Sequence, residues 1–242
     1  MSTASDLRPR VSTDIHLLDQ AAWASLTGPH ARFAEGPGRA LRYPVGVSPI
    51  MAVPPVVDER VWADVLALVG PGGAAMLSGD PFTPPDGWQV ELAVPGVQLI
   101  ATGALESRPG DGLVTLGAAD VPEMLDLVSR TRPGPFEPRT HELGTYLGVR
   151  REGALVAMAG ERLHPTGFTE ISAVCTDPAH RGEGLATTLV RAVAHNIRDR
   201  GETPFMHAAR DNAGAVGLYL SMGFELRREV LFSVLRSPSD AG

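Results

Sequence analysis

A glycine turn between an apolar run and an amphipathic segment constrains this chain more than any other feature. Residues 171–186 read ISAVCTDPAHRGEGLA, so an apolar run ends at Asp177-Pro178 and an Arg-Gly-x-Gly-x-Ala turn opens the next segment. This order predicts a strand, a tight turn and a helix N-terminus. The first N–H groups of a helix have no partner inside the helix, and the helix dipole is positive there. The turn therefore predicts a site for a phosphate-bearing ligand, although an ordinary strand-to-helix turn would explain the same two glycines.

The predicted helix is well marked in the sequence. Its apolar side chains recur every four residues, at Leu185, Leu189, Val193 and Ile197. Gly201 stands where a C-terminal cap belongs. We expect Gly182 and Gly184 to let the backbone approach a phosphate closely, because a Cβ there would crowd the anion or forbid the turn's dihedrals. Arg181 can add a charge-assisted contact.

A second motif follows in residues 205–235, which read FMHAARDNAGAVGLYLSMGFELRREVLFSVL. Its fixed positions are Asn212, Ala215, Leu218-Tyr219 and Gly223-Phe224. Together with the glycine turn, this N-x-x-A-x-x-L-Y-x-x-x-G-F pattern resembles the GCN5-related N-acetyltransferases (GNAT). The resemblance covers residues 109–242 and implies the mixed α/β sheet of that family. Residues 1–108 resemble no family that we can name, although a degenerate half-domain of the same kind is one interpretation.

The resemblance implies an acetyl-CoA site. In this family the glycine turn binds the pyrophosphate, the downstream helix lines the cofactor, and a strand that splays from its neighbour frees main-chain groups for the thioester and the pantetheine amides. Carried over to this sequence, the cofactor-binding residues are Val174, Cys175, Thr176, Arg181, Gly182, Glu183, Gly184, Leu185, Ala186, Thr187, Asn212, Ala215 and Tyr219.

Acyl transfer from a thioester to an amine needs a base, an oxyanion donor and an acid. By the resemblance, Tyr219 is the acid, because the family places a tyrosine hydroxyl near the CoA sulfur. The alternative is that Tyr219 packs under the sheet with its hydroxyl satisfied. Backbone groups of residues 174–176 are the expected oxyanion donors.

The base is less well defined. Strict alternation along the strand would put Ile171, Ala173 and Cys175 on one apolar face and Glu170, Ser172 and Val174 on the other. By resemblance, Glu170 can take the amine proton directly or through water, or it is a solvated strand end and the amine arrives neutral. Glu161 is the competing carboxylate, and Arg162 beside it could pair with it at the surface.

Other positions complete the candidate site. A nucleophilic Cys175 is the weaker interpretation, because buried free cysteines are usually inert. The loop Pro133-Gly134-Pro135-Phe136 and His141 are expected to line the acceptor pocket by their position in the resembled fold, with Glu161 nearby.

Composition excludes several classes of protein. With 242 residues, 43% of them hydrophobic, the chain can bury a substantial core as one large or two small domains. A net charge of −7 argues against general nucleic-acid binding. The seven histidines have no C-x-x-C or H-E-x-x-H spacing, so no metal is expected.

The expected location is the cytoplasm. No apolar run of about 18 residues could cross a membrane, and MSTASDLRPR lacks a secretory core. The single cysteine, Cys175, cannot form an internal disulfide, which fits a reducing compartment.

The Pro/Gly segment Glu106–Gly112 is the clearest linker and predicts an N-terminal α/β domain over 1–108 and an acetyltransferase domain over 109–242.

An Asp cap, a Pro and a Glu predict a capping box where a helix starts at Asp120, and residues 132–138 cannot be helical. The other expected helices are 15–26, 58–69, 184–200 and 212–222. The expected strands are 39–47, 74–78, 97–102, 113–116, a hairpin of 145–150 with 154–162, 168–175, 205–208, and a closing hairpin through 230–235.

Two other functions compete with an enzyme that transfers acetyl directly to an amine in a ternary complex. A nicotinamide-binding site would use Gly182-Glu183-Gly184 with Glu202, but Thr187 stands where the third glycine is needed. A non-catalytic acetyl-CoA-binding module is the other, and Tyr219 argues for turnover. The acceptor, a small molecule or a peptide amine, and a homodimer are left open by the sequence.

Overall fold

The computed structural model describes residues 16–239. They form ten strands and five α-helices. The strands are β1 (Leu41–Arg42), β2 (Met51–Ala52), β3 (Ala74–Gly79), β4 (Gln89–Ala101), β5 (Val114–Leu116), β6 (Tyr146–Arg151), β7 (Ala154–Glu161), β8 (Phe168–Thr176), β9 (Thr203–Ala209) and β10 (Phe224–Arg236). The helices are α1 (Ala21–Leu26), α2 (Glu59–Val69), α3 (Val121–Thr131), α4 (Leu185–Asp199) and α5 (Ala213–Met222).

Eight of the strands form one mixed sheet in the order β3-β10-β4-β9-β8-β7-β6-β5. Every neighbouring pair is antiparallel except β8 and β9, which are parallel and are joined by the crossover helix α4. Parallel neighbours need such a crossover, because a tight turn reverses the chain. The mixed α/β fold expected from the sequence is confirmed.

Apolar side chains cover both faces of the sheet. Helices α4 and α5 pack with Ala157, Ala159 and Ile171 on one face. Helix α3 packs against the other face, where Met158 belongs to its cluster. Because successive side chains of β7 point to opposite faces of the sheet, neighbouring residues of this strand pack in two separate hydrophobic clusters.

The segment before the linker shares this sheet. Strand β4 lies between β10 and β9, and β3 pairs with β10. Near the start of the described chain, Leu18 packs in one cluster with Leu163 and Phe205. The domain boundary predicted at residue 108 therefore separates strands of a single sheet, and a division into two units stays a prediction.

Strands β4 and β10 correct two expectations. The strand predicted over 97–102 runs from Gln89, and the closing hairpin is instead one 13-residue strand. Pro95 lies just beyond the last β4–β9 pair, Gly96 with Ala209, where its missing N–H breaks no ladder hydrogen bond, and its carbonyl accepts from the N–H of Arg210 at 2.9 Å. Strand β10 runs through this region without a turn. Its pairing with β4 shifts register between Leu226 and Arg228, as at a β-bulge.

Helix starts were predicted with mixed success. Asp58 caps α2 by accepting from the N–H groups of Arg60 and Val61, both at 3.0 Å, as expected. Asp120 makes no cap to α3, because one of its oxygens accepts from the N–H of Gly117 at 2.9 Å and the other binds Arg150 of β6, as does the carboxylate of Glu123.

The N-terminal segment is less regular than expected. The helix predicted over 15–26 is a 3₁₀ turn, Leu17–Gln20, followed by α1, and Ile15 lies outside the described residues. Only Leu41–Arg42 is a strand within 39–47.

Candidate functional site

A cleft opens where β8 and β9 separate. Their pairing covers three positions and ends at Glu170 with Phe205. Beyond it, β9 continues alongside β4 as far as Ala209, while β8 stays with β7. The gap between them forms a cleft of about 560 Å³, which is the size of a small-ligand site.

A β-bulge at Ala173 shapes the β8 wall of this cleft. Ala173 has φ +53, and Ala159 of β7 faces two residues of β8. The prediction that Ile171, Ala173 and Cys175 share one face is wrong, because the extra residue shifts the alternation by one. Ile171 and Val174 pack toward α4, whereas Ala173 and Cys175 pack toward α3. The edge of residues 171–176 that faces the gap has no strand partner in the described chain.

The glycine turn follows this wall directly, as the sequence predicts. Gly182 has φ +87 and Gly184 has φ +76, in the left-handed region that favours glycine. A Cβ at either position would meet no atom within 4 Å, so the dihedral angle is what requires glycine in the turn. Gly184 caps α4 without a side chain, which leaves the N–H groups of the first helical turn available to a ligand. Arg181 and Ala186 line the cleft beside it.

Helix α5 supplies another wall. The Asn212 side chain caps it, accepting from the N–H of Ala215 at 3.2 Å. Asn212, Ala215, Leu218 and Tyr219 line the cleft. Tyr219 is 7% exposed, and burial, together with the nearby Cys175, raises its pKa to about 12. The raised pKa keeps the hydroxyl protonated, and because it has no hydrogen-bonding partner among residues 16–239 it is free to act on a ligand.

Glu170 lies at the last paired position of β8 and is fully buried. Arg162 donates to both of its oxygens, at 2.8 Å and 2.6 Å, and His207 lies 2.8 Å from one of them. Burial opposes ionisation of this carboxyl, but the Arg162 guanidinium and then His207 outweigh it and hold the Glu170 pKa well below its usual range. A carboxylate held in this way is a weak base.

The roles of the two His207 ring nitrogens follow from their partners. Gln98 donates from Nε2 to the carbonyl of Leu18 and to Nε2 of His207, at 2.8 Å and 3.0 Å. Arg227 donates to the Gln98 Oε1 at 2.7 Å, which fixes the orientation of the amide. The His207 Nε2 is thus an acceptor, and its Nδ1–H donates to Glu170.

Two charged or polar cleft residues, Arg162 and His207, were missed as site residues from the sequence. A surface pair of Arg162 with Glu161 was one alternative from the sequence, but Arg162 binds Glu170. His207 could have been identified from its position two residues past the last β8–β9 pair. That position depends on the register of the two strands, which cannot be read from the sequence alone.

The predicted acceptor residues divide into two groups. Pro133, Gly134 and Pro135 line the cleft. Phe136 instead packs edge-on against Tyr146, with ring centroids 5.6 Å apart. The other two predicted positions, His141 and Glu161, also lie outside the lining. His141 is in the 3₁₀ turn Thr140–Leu143, and Glu161 is buried and accepts a hydrogen bond from Nη1 of Arg200 at 3.1 Å.

Within residues 16–239, no cluster of histidine, cysteine and carboxylate side chains has the geometry to bind a metal ion. The same residues contain no helix that is long and apolar enough to cross a membrane.

Comparison with known proteins identifies the family. Residues 146–233 match the family described as FR47-like protein. The crystal structure of a GNAT-family acetyltransferase from Novosphingobium aromaticivorans is 38% identical, covers 93% of this chain and 100% of its own, and superposes with a TM-score of 0.85. The chain belongs to the GNAT family. The resemblance inferred from the two motifs is thereby confirmed.

Two curated relatives extend the comparison. A mycothiol acetyltransferase from Thermomonospora curvata is 31% identical over 59% of this chain, which spans about half of that relative's length (46%). The N-alpha-acetyltransferase RimI of Mycobacterium tuberculosis is 32% identical over 46% of this chain and 78% of its own. GNAT acetyltransferases use acetyl-CoA.

Replacing Glu170 tests the buried ion pair. Glu170→Gln should lower the free energy of unfolding by about 3 kcal/mol, because it leaves the Arg162 guanidinium buried without a counter-charge. Urea unfolding followed by circular dichroism measures this. Glu161→Gln is the matched control and should cost less, because burial raises the pKa of Glu161 and the side chain of its partner, Arg200, is 39% exposed. A larger loss in Glu161→Gln would contradict this assignment.

Proposed function

We propose that this chain is an acetyl-CoA-dependent N-acetyltransferase that moves the acetyl group directly to an amine in a ternary complex. The observation that carries the proposal is the juxtaposition of three features at one cleft. They are the unpaired edge of β8, the unengaged hydroxyl of Tyr219 and the glycine turn at the start of α4.

The polar groups of the site support acetyl-CoA as the cofactor. The free N–H groups of the first α4 turn, with Arg181, suit a pyrophosphate. The unpaired edge of residues 174–176 offers donors and acceptors to an amide-containing arm, as an added strand would be held. Thr176 adds a buried hydroxyl that has no partner within the described residues. We assign the thirteen cofactor positions predicted from the sequence on this basis.

Tyr219 provides the acid. In the transfer, a bond forms between the amine nitrogen and the carbonyl carbon, the carbon–sulfur bond breaks, and the nitrogen loses a proton. The departing thiolate takes up a proton, which the Tyr219 hydroxyl donates. Because its pKa is about 12, the hydroxyl keeps that proton at neutral pH until the thiolate forms.

Cys175 does not carry the acetyl group in this proposal. Burial raises the pKa of its thiol to about 11, so the nucleophilic thiolate is scarce at neutral pH. Its side chain also packs toward α3.

We assign Glu170 a positioning role in place of the direct base expected from the sequence. Both of its oxygens accept hydrogen bonds, and it fixes the orientation of Arg162 and of the His207 ring at the cleft. The amine then arrives neutral or loses its proton to water. Mycothiol acetyltransferase and N-alpha-acetyltransferase, the names of the relatives, support an acceptor that is a small molecule or a peptide. A homodimer, the absence of nucleic-acid binding and a cytoplasmic location stay predictions.

The glycine turn can be tested with two equivalent glycines. Acetyl-CoA should raise the melting temperature of the wild type, because a ligand that binds only the folded state adds to its stability. Gly184→Val should abolish that rise. Gly201→Val is the control, since Gly201 has φ +78 and the same open surroundings at the other end of α4. It should melt lower yet keep the acetyl-CoA shift, and a full shift in Gly184→Val would refute the turn's role.

Tyr219→Phe separates an enzyme from a binding module. The variant should bind acetyl-CoA normally but lose about 100-fold in kcat, because only the proton source for the thiolate is removed. Amine-dependent thiol release measures kcat. Tyr146→Phe is the control, as the Tyr146 hydroxyl is buried outside the cleft lining and has no partner in the described chain. Turnover of Tyr219→Phe within twofold of wild type would leave Tyr219 a packing residue, and no thiol release by the wild type would favour the binding module.

A further inference from the structure

The N-terminal part of the chain builds one side of the cleft. Strands β3 and β4 flank β10 in the sheet, and all three lie on the β9 side of the gap. The cleft lining from this part of the fold is Ile50, Met76, Leu77, Ser78, Leu92, Val94, Phe232, Ser233 and Val234. Leu77 and Ser233 are paired positions whose side chains point to the opposite face of the sheet, and of the other seven residues six are apolar and one is Ser78.

Strand register shows that most of these side chains form one surface. Met76, Val234 and Leu92 face one another across β3, β10 and β4. Ser78, Phe232 and Val94 form the next row on the same face, because opposed residues two positions apart point the same way. We call these two rows the apolar floor. The opposite face of β3 and β10 is covered by α2, through Ala75, Leu77 and Leu235.

The apolar floor faces the cleft and stays partly open. Met76, Ser78, Val94, Phe232 and Val234 are half-buried, and Leu92 is 50% exposed. The same cleft contains Tyr219 and the unpaired edge of β8. A ligand on the floor would therefore lie in the cavity that holds the proposed acid.

The charged side chains that line the cleft are all cationic. Among the described residues that line it, there is no aspartate or glutamate, and the charged side chains are Arg132, Arg162 and Arg181. Glu170, the carboxylate that pairs with Arg162, is fully buried and lies outside the lining. His207 uses Nδ1 for Glu170 and Nε2 for Gln98. The cleft thus offers an ammonium group no counter-charge.

From this surface we propose the class of acceptor: a monoamine whose nitrogen is carried on an apolar aliphatic or aromatic body, in preference to a polyamine or another polycation. The body lies on the apolar floor, and the amine enters in its neutral form. Each additional ammonium group would have to leave water without a partner, which is strongly unfavourable. The inference rests on the proposed acetyltransferase activity and adds its substrate class.

Two amines of equal length isolate the effect of the second charge. With acetyl-CoA saturating, kcat/KM for hexylamine should exceed that for 1,6-diaminohexane by at least about 10-fold at the same pH, measured by thiol release. Val94→Asp puts a carboxylate on the apolar floor and should shrink or reverse this ratio. Val90→Asp is the control on the same strand, where Val90 is 55% exposed and outside the lining, and it should leave the ratio unchanged.

The outcomes separate this inference from the proposed function. Equal or better turnover of 1,6-diaminohexane would overturn the apolar acceptor and still support an acetyltransferase. If neither amine is acetylated, calorimetry on the CoA-saturated protein gives the answer. Hexylamine binding at least about 10-fold tighter than 1,6-diaminohexane would support the inference. Equal binding or none would overturn it. The rise in melting temperature with acetyl-CoA, which Gly201→Val should keep, depends only on the cofactor site and therefore tests the proposed function separately.

Discussion

The short parallel pairing of β8 with β9 is the constraint on which the rest of this structure depends. Had the pairing continued past Glu170, the gap would be closed by ladder hydrogen bonds and the sheet would have no cleft. The bulge at Ala173 prevents this by bending β8 and holding it against β7. Its cost is one non-glycine residue in the left-handed region, at φ +53. The surrounding ladder and both cores hold that residue in place.

A buried cluster stands where the strands separate. Arg162, Glu170 and His207 come from the chain after β7, from β8 and from β9, and Gln98 ties them to β4. The Glu170 oxygens, both His207 ring nitrogens and the Gln98 amide each have a partner, so the cluster gives the strand ends one arrangement. In our proposal Glu170 has a positioning role, because its carboxylate is held by Arg162 and His207. Catalysis in our account therefore depends on Tyr219 and on backbone groups.

The parts of the fold that sequence reasoning found are those with local signals. The glycine turn, the apolar period of α4 and the start of α5 at Asn212 each depend on residues close together in the chain. The bulge could not be found, because an extra residue in a strand shows only against its partner's register. Arg162 and the apolar floor were missed for the same reason. Both arise from pairings between distant segments, such as β3 with β10, which no local pattern specifies.

Amide hydrogen exchange with and without acetyl-CoA tests the central claim that the parted strands form the cofactor site. Exchange should slow in two segments, residues 171–176 of β8 and residues 182–187 of the glycine turn, because their unpaired N–H groups gain acceptors or lose water. Strand β5, at the far edge of the sheet, should be unchanged. Protection of the glycine turn with none in residues 171–176 would contradict the account, since the cofactor would then bind without entering the gap between β8 and β9.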